Sequence, residues 1–264
     1  MIEPDVLPPA PVTHLRGKRG LVVGIANDAS IAAGCARAFV ASGATIACTY
    51  AHEKALPHVQ PVTKALGCDI LIPLDVTVPG ELEAVFDRIR AEWGELDFLL
   101  HSIAFAPAAD LHGRVVDSTA AGFAMAMDIS CHSFLRMACL AEPLMAQGGS
   151  LLTVTFIGSE RVVPHYSIMG PVKAALESAV RYAAAELGPG RIRVNAISPG
   201  PIKTRAGGGI AHFDEMLAHA AEAPEPDPVN TDDVGALAAF LVSDSARNIT
   251  GAIIPVDAGQ HLGG

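Results

Sequence analysis

The sequence predicts an α/β protein with a doubly wound parallel sheet. Short aliphatic and β-branched runs alternate with stretches of helical length, and the connections between them are short. This alternation is typical of parallel strands that are covered by helices on both faces. The 264 residues, 50% of them hydrophobic, are enough to bury roughly three-quarters of the unfolded surface in one core. No internal repeat or second domain is indicated.

Seven strands are predicted, because seven short runs of aliphatic and β-branched residues are bounded by turn-forming or polar positions. They cover Leu21–Gly24, Ala44–Tyr50, Ile70–Asp75, Leu96–Ile103, Leu151–Phe156, Ile192–Ile197 and Ala252–Val256. We therefore expect a Rossmann-type, seven-stranded parallel sheet with helices on both faces.

Six stretches between these strands have helical length and spacing. They are Ile31–Ser42, Glu81–Trp93, Thr119–Ala146, Ser167–Leu187 and Thr231–Ser243, with a weaker pattern over Ala55–Leu66. The longest apolar one, Thr119–Ala146, contains Asp128, His132, Arg136 and Glu142, which would each be costly in lipid. It therefore predicts a buried helix and not a membrane span.

Two segments lie outside this alternation. Residues 1–17 are rich in proline and lack an apolar period, which predicts a leader ahead of a single domain over residues 18–264. The connection Pro199–Asn230 holds Gly207–Gly209, an amphipathic stretch over Ile210–Ala220 and several prolines. Because it follows a strand at the ligand-binding end of such a sheet, we predict a substrate lid at about 203–230. A purely decorative surface loop is the alternative.

Charge, cysteine content and the first residues indicate which partners and which location to expect. The 28 Asp and Glu outnumber the 18 Lys and Arg, and no basic stripe is present, so a nucleic-acid partner is not expected. The 5 cysteines never reach C-x-x-C spacing, which predicts reduced thiols, with no disulfide framework and no metal site. The first residues include Glu3 and Asp5 instead of a basic and then an apolar segment, so no secretory signal and a cytoplasmic location are predicted.

A phosphate-binding loop is predicted where the first strand meets the first helix. Gly24 ends the strand, Ser30 precedes the helix and Gly34 lies one turn inside it. Glycine allows a tight turn towards a pyrophosphate, the helix N-terminus attracts its charge, and Gly34 permits close helix–strand packing. The spacing is not G-x-G-x-x-G, and Ser30 would equally fit a simple N-cap.

Further candidates follow the third, fourth and sixth strands. Asp75 is placed to accept from an adenine amino group, and Ile103 to line the pocket beside the adenosine ribose. His101 is interpreted as a structural residue, because no carboxylate is paired with it in sequence. In the turn Ser198–Arg205, the Ile202 backbone and the Thr204 hydroxyl could meet a carboxamide and a phosphate, or the segment could be only a rigid turn.

Tyr166 and Lys173 form the strongest chemical signal. Lys173 follows Tyr166 by seven positions, which is nearly two helical turns, so both side chains project from one helix face or from the helix and the turn before it. A lysine ammonium near a phenol favours its ionised form and can also donate to ribose hydroxyls. Because the pair lies between the fifth and sixth strands, we predict that it is catalytic.

These motifs together resemble the short-chain dehydrogenase/reductase superfamily, specifically its divergent branch of bacterial enoyl-[acyl-carrier-protein] reductases. The resemblance extends from Gly17 to Gly259, and six residues separate Tyr166 from Lys173 where ordinary members of the superfamily have three. The other matching motifs are Gly24–Asn27 with Ser30-Ile31, Asp75-Val76, His101–Pro107, Asp128–Ser130, Arg193–Ser198, Gly200–Thr204 and Val256–Gly259.

The resemblance implies that hydride from NADH reduces the trans-2 double bond of an enoyl thioester on acyl carrier protein, in fatty acid biosynthesis. It implies that Tyr166 donates to the thioester oxygen, that Lys173 holds the nicotinamide ribose, that Ala106 touches substrate and that the chain forms a homotetramer. The cofactor contacts implied by the resemblance are Gly24, Ser30, Ile31, Asp75, Val76, Ile103, Lys173, Ile202, Lys203, Thr204, Arg205 and Ala206.

The sequence departs from the family pattern at two places. Phe156 stands at a substrate-binding position where many members have a second tyrosine, and phenylalanine there resembles the branch that acts on longer acyl chains. Ala51 stands where NADH-using members often have glutamine. With no arginine at this turn a 2′-phosphate lacks its usual partner, so NADH is favoured, although the nearby Lys54 leaves NADPH open.

Two alternative functions remain at the level of sequence. A carbonyl-reducing member of the superfamily would need a Ser or Thr beside the tyrosine and a Y-x-x-x-K helix, and Thr153 and Ser159 are the hydroxyls available for this role. A non-catalytic NAD-binding paralogue would keep the fold but not the turnover. The presence of both Tyr166 and Lys173 argues against the second alternative.

Overall fold

A computed structural model describes residues 14–225 and 227–263, which contain one parallel sheet of seven strands. The strands are β1 (Arg19–Val23), β2 (Thr45–Tyr50), β3 (Ile70–Pro73), β4 (Phe98–His101), β5 (Gly149–Val154), β6 (Ile192–Pro199) and β7 (Ile253–Val256). Their order is β3-β2-β1-β4-β5-β6-β7, and every adjacent pair is parallel. The predicted doubly wound sheet is confirmed.

Helices cover both faces of this sheet. They are α1 (Ile31–Ala41), α2 (Leu56–Ala65), α3 (Glu81–Trp93), α4 (Ala108–Leu111), α5 (Ala120–Met127), α6 (Ser133–Ala141), α7 (Met169–Leu187), α8 (Phe213–Ala220) and α9 (Thr231–Val242). One apolar core includes Phe39 of α1 and Val234 of α9, and the other includes Phe86, Phe134 and Leu176 of α3, α6 and α7. Two cores separated by the sheet explain why its strands consist of continuous apolar runs.

The long helix predicted over Thr119–Ala146 is wrong in one respect, because it is interrupted. A π-helical turn, Asp128–His132, separates α5 from α6, and a 3₁₀ turn follows α6. In the π turn the Ser130 hydroxyl accepts from the Phe105 N–H at 2.9 Å and donates to the Phe105 carbonyl at 3.0 Å. Pro143 lacks the N–H that a continuing α-helix would need. No helix among the described residues is long and apolar enough to span a membrane.

The ligand-binding end of the sheet lies where β1 and β4 are neighbours. The chain leaves β1 towards one face of the sheet and returns through β4, so a crevice opens beyond the carboxyl ends of these two strands. Val23 is paired with His101, and the Ser102 N–H donates to the Val23 carbonyl at 2.9 Å. Because β3 ends at Pro73 and β4 at His101, Asp75 and Ile103 lie in loops just beyond the strands.

The described residues include parts of both irregular segments, the predicted leader and the predicted lid. Residues 1–13 of the predicted leader lie outside the described residues, whereas Leu15 is buried in the core and its N–H donates to the Ser42 carbonyl at 2.7 Å. The predicted lid contains a 3₁₀ turn at Gly207–Gly209, followed by α8. The ring of Phe213 lies against Gly207, where an added Cβ would be 2.7 Å from a ring carbon.

Gly34 allows α1 to pack closely against α9. A Cβ at this position would be 2.2 Å from the Thr231 carbonyl oxygen, so the close neighbour is a helix and not the strand that the sequence suggested. We expect Gly34→Ala to lower the free energy of unfolding by about 1–3 kcal/mol, because backbone atoms must move. Thermal unfolding followed by circular dichroism should show a decrease in Tm of about 2–10 °C.

Gly188→Ala is the matched control for this substitution. Gly188 has φ −54°, and an added Cβ there meets nothing within 4 Å, so its effect should stay within about 0.5 kcal/mol. Equal melting temperatures for the two variants would contradict the close packing of α1 on α9.

Candidate active site

A cavity of about 590 Å³ lies beyond the carboxyl ends of the central strands. Its lining is mostly apolar and comes from the loops after β4, β5 and β6, from the start of α7 and from the lid. The predicted site residues that line it are Ile31, Ile103, Ala106, Phe156, Tyr166, Lys173, Ile202, Arg205 and Ala206. The predicted residues outside the lining are Gly24, Ser30, Asp75, Val76, Lys203 and Thr204.

The loop after β1 passes close to the loop after β4. Gly24 has φ +114°, and an added Cβ would be 2.1 Å from the Ser102 carbonyl oxygen, so glycine is required here. The Ser30 hydroxyl donates to the Asn27 carbonyl at 2.7 Å and makes no hydrogen bond to the first turn of α1. That turn also contains no acidic residue, so its N–H groups and its positive dipole remain available to an anion.

Three predicted cofactor contacts, Asp75, Val76 and Thr204, form hydrogen bonds within the protein. Asp75 accepts from the Thr77 N–H at 2.9 Å and from its hydroxyl at 2.6 Å, so one carboxylate oxygen caps a turn. The Val76 carbonyl accepts from Arg136 at 3.0 Å. The Thr204 hydroxyl accepts from the Gly207 N–H at 3.0 Å, while Lys203 is exposed. Thr204 therefore shapes the start of the lid.

Tyr166 is presented to the cavity by an unusual backbone. Its neighbours His165 and Ser167 have φ 64° and 48°, a left-handed conformation that costs energy for residues other than glycine. The Ser167 hydroxyl donates to the Asp110 and Gly113 carbonyls at 3.1 and 2.8 Å and holds the turn. Because Ser167 is not helical, α7 begins at Met169, two positions later than predicted.

Phe156 lies beside Tyr166 and supplies no hydroxyl. The two rings are 4.8 Å apart between centroids and tilted by 55°, a favourable geometry for an aromatic pair. The Tyr166 ring is buried, and none of the described residues forms a hydrogen bond with its hydroxyl. The tyrosine hydroxyl is therefore available to a bound molecule.

The pKa of Tyr166 shifts upward, opposite to the effect that a nearby ammonium alone would have. The sequence suggested that the Lys173 ammonium would favour the phenolate. Burial instead raises the pKa of Tyr166 well above its ordinary value, and the negative charge of Glu177 raises it further. Tyr166 is thus a protonated phenol, which suits a hydrogen-bond or proton donor.

Lys173 is a buried cation with one hydrogen-bond partner among the described residues. Its ammonium donates to the Val154 carbonyl at 2.7 Å, at the end of β5. Burial lowers the pKa of Lys173 to about 8, while Cys131 and Glu177 act in the opposite direction. An ammonium has three donors, so two remain for a ligand in the cavity.

Glu177 is a functional candidate that sequence reasoning missed. It lies one turn after Lys173 on α7, is buried, and accepts from the Thr155 hydroxyl at 2.7 Å and from the Ser159 hydroxyl at 2.5 Å. The i, i+4 spacing to Lys173 was the available signal. Through these hydrogen bonds the Glu177 carboxylate links the segment after β5 to α7, the helix that contains Lys173.

His101 has the structural role that the sequence indicated. Its Nδ1 and Nε2 atoms lie 2.8 Å from the Thr153 hydroxyl and 2.9 Å from the Ser133 hydroxyl. Burial and the positive charge of Lys173 lower the pKa of His101 to about 3, so the ring is neutral at physiological pH. The imidazole fixes β4 to β5 and α6.

A doubly wound sheet with a tyrosine and a lysine at the ligand-binding end defines a nicotinamide-dependent oxidoreductase of the short-chain dehydrogenase/reductase class. A model of the family described as "Enoyl-(Acyl carrier protein) reductase" matches residues 24–261. The chain belongs to this enoyl-[acyl-carrier-protein] reductase family.

Individual relatives agree with this assignment. "Enoyl-[acyl-carrier-protein] reductase [NADH] FabI" of Rickettsia felis is 44% identical over 95% of this chain and 96% of its own. The solved enoyl-(acyl-carrier-protein) reductase of Anaplasma phagocytophilum, in complex with NAD, has a TM-score of 0.91 at 44% identity, over 95% of this chain and 96% of its own. The Bacillus cereus enzyme, solved with NADP⁺ and an indole naphthyridinone, has a TM-score of 0.92 at 42% identity, over 95% and 98%.

Proposed function

We propose that this protein reduces the trans-2 double bond of an enoyl thioester with hydride from NADH. The observation that carries the proposal is the protonated, unpartnered Tyr166 hydroxyl, which lies in an apolar cavity together with the buried Lys173 ammonium. The cavity accommodates an acyl chain, and the two polar groups provide the fixed donors that an acyl thioester and a nucleotide need.

The residues at the end of the sheet fit a nicotinamide dinucleotide. The uncapped N-terminus of α1 beside Gly24 suits a pyrophosphate, and Asp75 keeps one carboxylate oxygen free for an adenine amino group. Ile31 and Ile103 provide apolar cover, and the turn Ile202–Ala206 closes the other side. NADH bound here supplies the hydride.

Tyr166 and Lys173 act at different points of the reaction. As hydride reaches the β-carbon, negative charge develops on the thioester oxygen as an enolate, and the Tyr166 hydroxyl donates to that oxygen. Lys173, held by the Val154 carbonyl, directs its remaining N–H donors to the ribose hydroxyls. Glu177 maintains the position of the helix that carries Lys173.

The substrate occupies the apolar end of the cavity, beneath the lid. Ala106, Phe156, Ile210 and Phe213 line this end, and residues 203–230, of which position 226 lies outside the described residues, form the lid. Phe156 contributes apolar contact and no hydrogen bond, and its resemblance to the branch that acts on longer acyl chains supports a long-chain substrate. We propose that acyl carrier protein delivers the thioester.

The hydroxyls that a carbonyl reductase would need are engaged elsewhere. The Thr153 hydroxyl is bound to the His101 ring and carbonyl, and the Ser159 hydroxyl donates to Glu177. Position 170, where a Y-x-x-x-K helix would place its lysine, is a glycine. These contacts favour reduction of the carbon–carbon bond over reduction of a ketone.

Two exposed apolar side chains bear on how copies of the chain assemble. Met125 of α5 and Leu135 of α6 are large apolar side chains that are 45% and 36% exposed in the single chain. Burial of such residues between copies is favourable, and it supports the homotetramer implied by the family resemblance. We propose that the enzyme acts in the cytoplasm on fatty acid synthesis intermediates.

Steady-state oxidation of NADH, followed at 340 nm, tests the function. We expect turnover with crotonyl and longer trans-2-enoyl thioesters, faster with the longer chains, and none above background with acetoacetyl thioester. Turnover of the ketone would favour a carbonyl reductase. An absence of turnover with every substrate, for protein that still binds NADH in a fluorescence titration, would favour a non-catalytic paralogue.

The same assay with NADPH tests the cofactor preference. Glu53 lies in the turn after β2, and its carboxylate accepts from the Tyr50 hydroxyl at 3.1 Å. A carboxylate at this turn suits a ribose 2′-hydroxyl and repels a 2′-phosphate. We therefore expect kcat/KM for NADH to exceed that for NADPH at least about tenfold, a difference of about 1.4 kcal/mol. Equal values would mean that Lys54 compensates for the missing arginine.

A further inference from the structure

Two histidines and a glutamate meet where the Tyr166 loop contacts the lid. His212 Nδ1 lies 2.9 Å from Glu215 Oε1, and His165 Nε2 lies 3.9 Å from Glu215 Oε2. One ligand atom from each of the three residues lies within 4.8 Å of the others. We refer to His165, His212 and Glu215 as the His–His–Glu cluster. It lines a second cavity, of about 350 Å³, which shares Phe156 with the active-site cavity.

The chemistry of the cluster suits a divalent transition metal. Imidazole nitrogen and carboxylate oxygen are the donors that Zn²⁺ takes in three-ligand sites, with a water molecule in the fourth position. A tetrahedral ion with Zn–N bonds of about 2.0–2.1 Å needs donor atoms roughly 3.4 Å apart, so the side chains must move by only about an ångström. All three are exposed and free to do so.

The two imidazole rings are already held side by side. They stack with their centroids 4.3 Å apart and 20° between their planes, and binding of an ion requires them to turn out of this stack. His165 and His212 both have a left-handed backbone, with φ 64° and 56°, and both line the second cavity. His219 lines the same cavity one turn after Glu215.

We propose that the His–His–Glu cluster binds one Zn²⁺ ion and that the ion fastens α8 to the loop that carries Tyr166. His165 directly precedes Tyr166, whereas His212 and Glu215 lie at the start of α8. A shared ion therefore restricts movement of the lid relative to the catalytic tyrosine. Metal binding is independent of the proposed reaction, and only its effect on turnover depends on that reaction.

Isothermal titration calorimetry tests the site directly. Tag-free protein is treated with EDTA, desalted and titrated with ZnCl₂ at pH 7.5. We expect one ion per chain, and at least about a tenfold loss of affinity in His165→Asn and in His212→Asn. Asparagine tolerates the left-handed backbone at both positions, so the variants should remain folded.

His132→Asn is the matched control. His132 is also exposed, and its Nδ1 lies 3.2 Å from the Asp128 carboxylate, but it has no second histidine ligand. Zinc affinity in this variant should equal that of the unchanged protein. A loss as large as in the cluster variants, or unchanged binding in His212→Asn, would overturn the proposal, as would an absence of binding to the unchanged protein at 1 mM ZnCl₂.

Limited proteolysis gives a readout that does not need activity. Trypsin can cut the lid after Lys203 and Arg205, both of which are exposed. Zinc should slow this cleavage in the unchanged protein and in His132→Asn, but not in His212→Asn. If zinc binds through the cluster while cleavage keeps its rate, the ion does not fasten the lid, and that part of the proposal is wrong.

Discussion

Replacement of Tyr166 by phenylalanine is expected to lower kcat for enoyl reduction by about 10²–10³-fold. The substitution removes one hydroxyl that hydrogen-bonds none of the described residues, so no hydrogen bond among these residues is lost. It should leave the affinity for NADH within about twofold, because the role proposed for this hydroxyl concerns only the thioester oxygen. Single-turnover kinetics with a long enoyl thioester, combined with an NADH titration, separates the two quantities.

Tyr182→Phe is the control for this experiment. Tyr182 also lies on α7, but it is 70% exposed and does not line the active-site cavity, so its hydroxyl should have no effect on turnover. If Tyr166→Phe reduced the enoyl substrate as fast as Tyr182→Phe does, another group would have to stabilise the enolate oxygen.

The pKa of Tyr166 also sets the range in which this donor works. Burial and Glu177 raise its pKa, so the phenol keeps its proton through the physiological range and into moderately alkaline solution. A phenolate could not donate to an enolate oxygen. The raised pKa of Tyr166 is therefore consistent with the donor role that the family resemblance implies.

The fold could be predicted because its signals are local. Each strand and most helices have their own periodicity, and the ligand-binding end follows from the topology, so Ile103 could be placed beside a ligand from its position at a strand end. Phe156 was placed there through the family resemblance. The interruption over Asp128–His132 could not be predicted, because it depends on a hydrogen bond between Ser130 and the distant Phe105 backbone.

Sequence patterns could not predict features that depend on burial or on contacts between residues distant in sequence. The direction of the Tyr166 pKa shift depends on how deeply the ring is buried, which no spacing reports. The His–His–Glu cluster joins a loop before α7 to the lid after β6, so His165 is distant in sequence from His212 and Glu215. Glu177, in contrast, could have been identified from the sequence, since it follows Lys173 by one turn on the same helix face.

Replacement of Lys173 by methionine is expected to weaken both NADH binding and turnover. Methionine keeps the length and apolar stem of the side chain but removes the ammonium, which donates to Val154 and, in our proposal, to the ribose hydroxyls. Loss of hydrogen bonds from a charged group costs about 1.5–3 kcal/mol each, so the Kd for NADH should rise by at least about tenfold. Lys64→Met, at an exposed position on α2, should change neither quantity.

The same variant should change the pH dependence of stability. Lys173 loses its proton near pH 8 in the native state but near its ordinary pKa of 10.5 in the unfolded chain. Between these values the unfolded state holds more protons, so the free energy of unfolding should rise with pH by about 2–3 kcal/mol from this group alone. Urea titrations at pH 7.5 and pH 10 should show that the unchanged protein gains this amount relative to Lys173→Met. Parallel behaviour of the two proteins would mean that Lys173 stays protonated in the native state, held by Glu177 and the Val154 carbonyl.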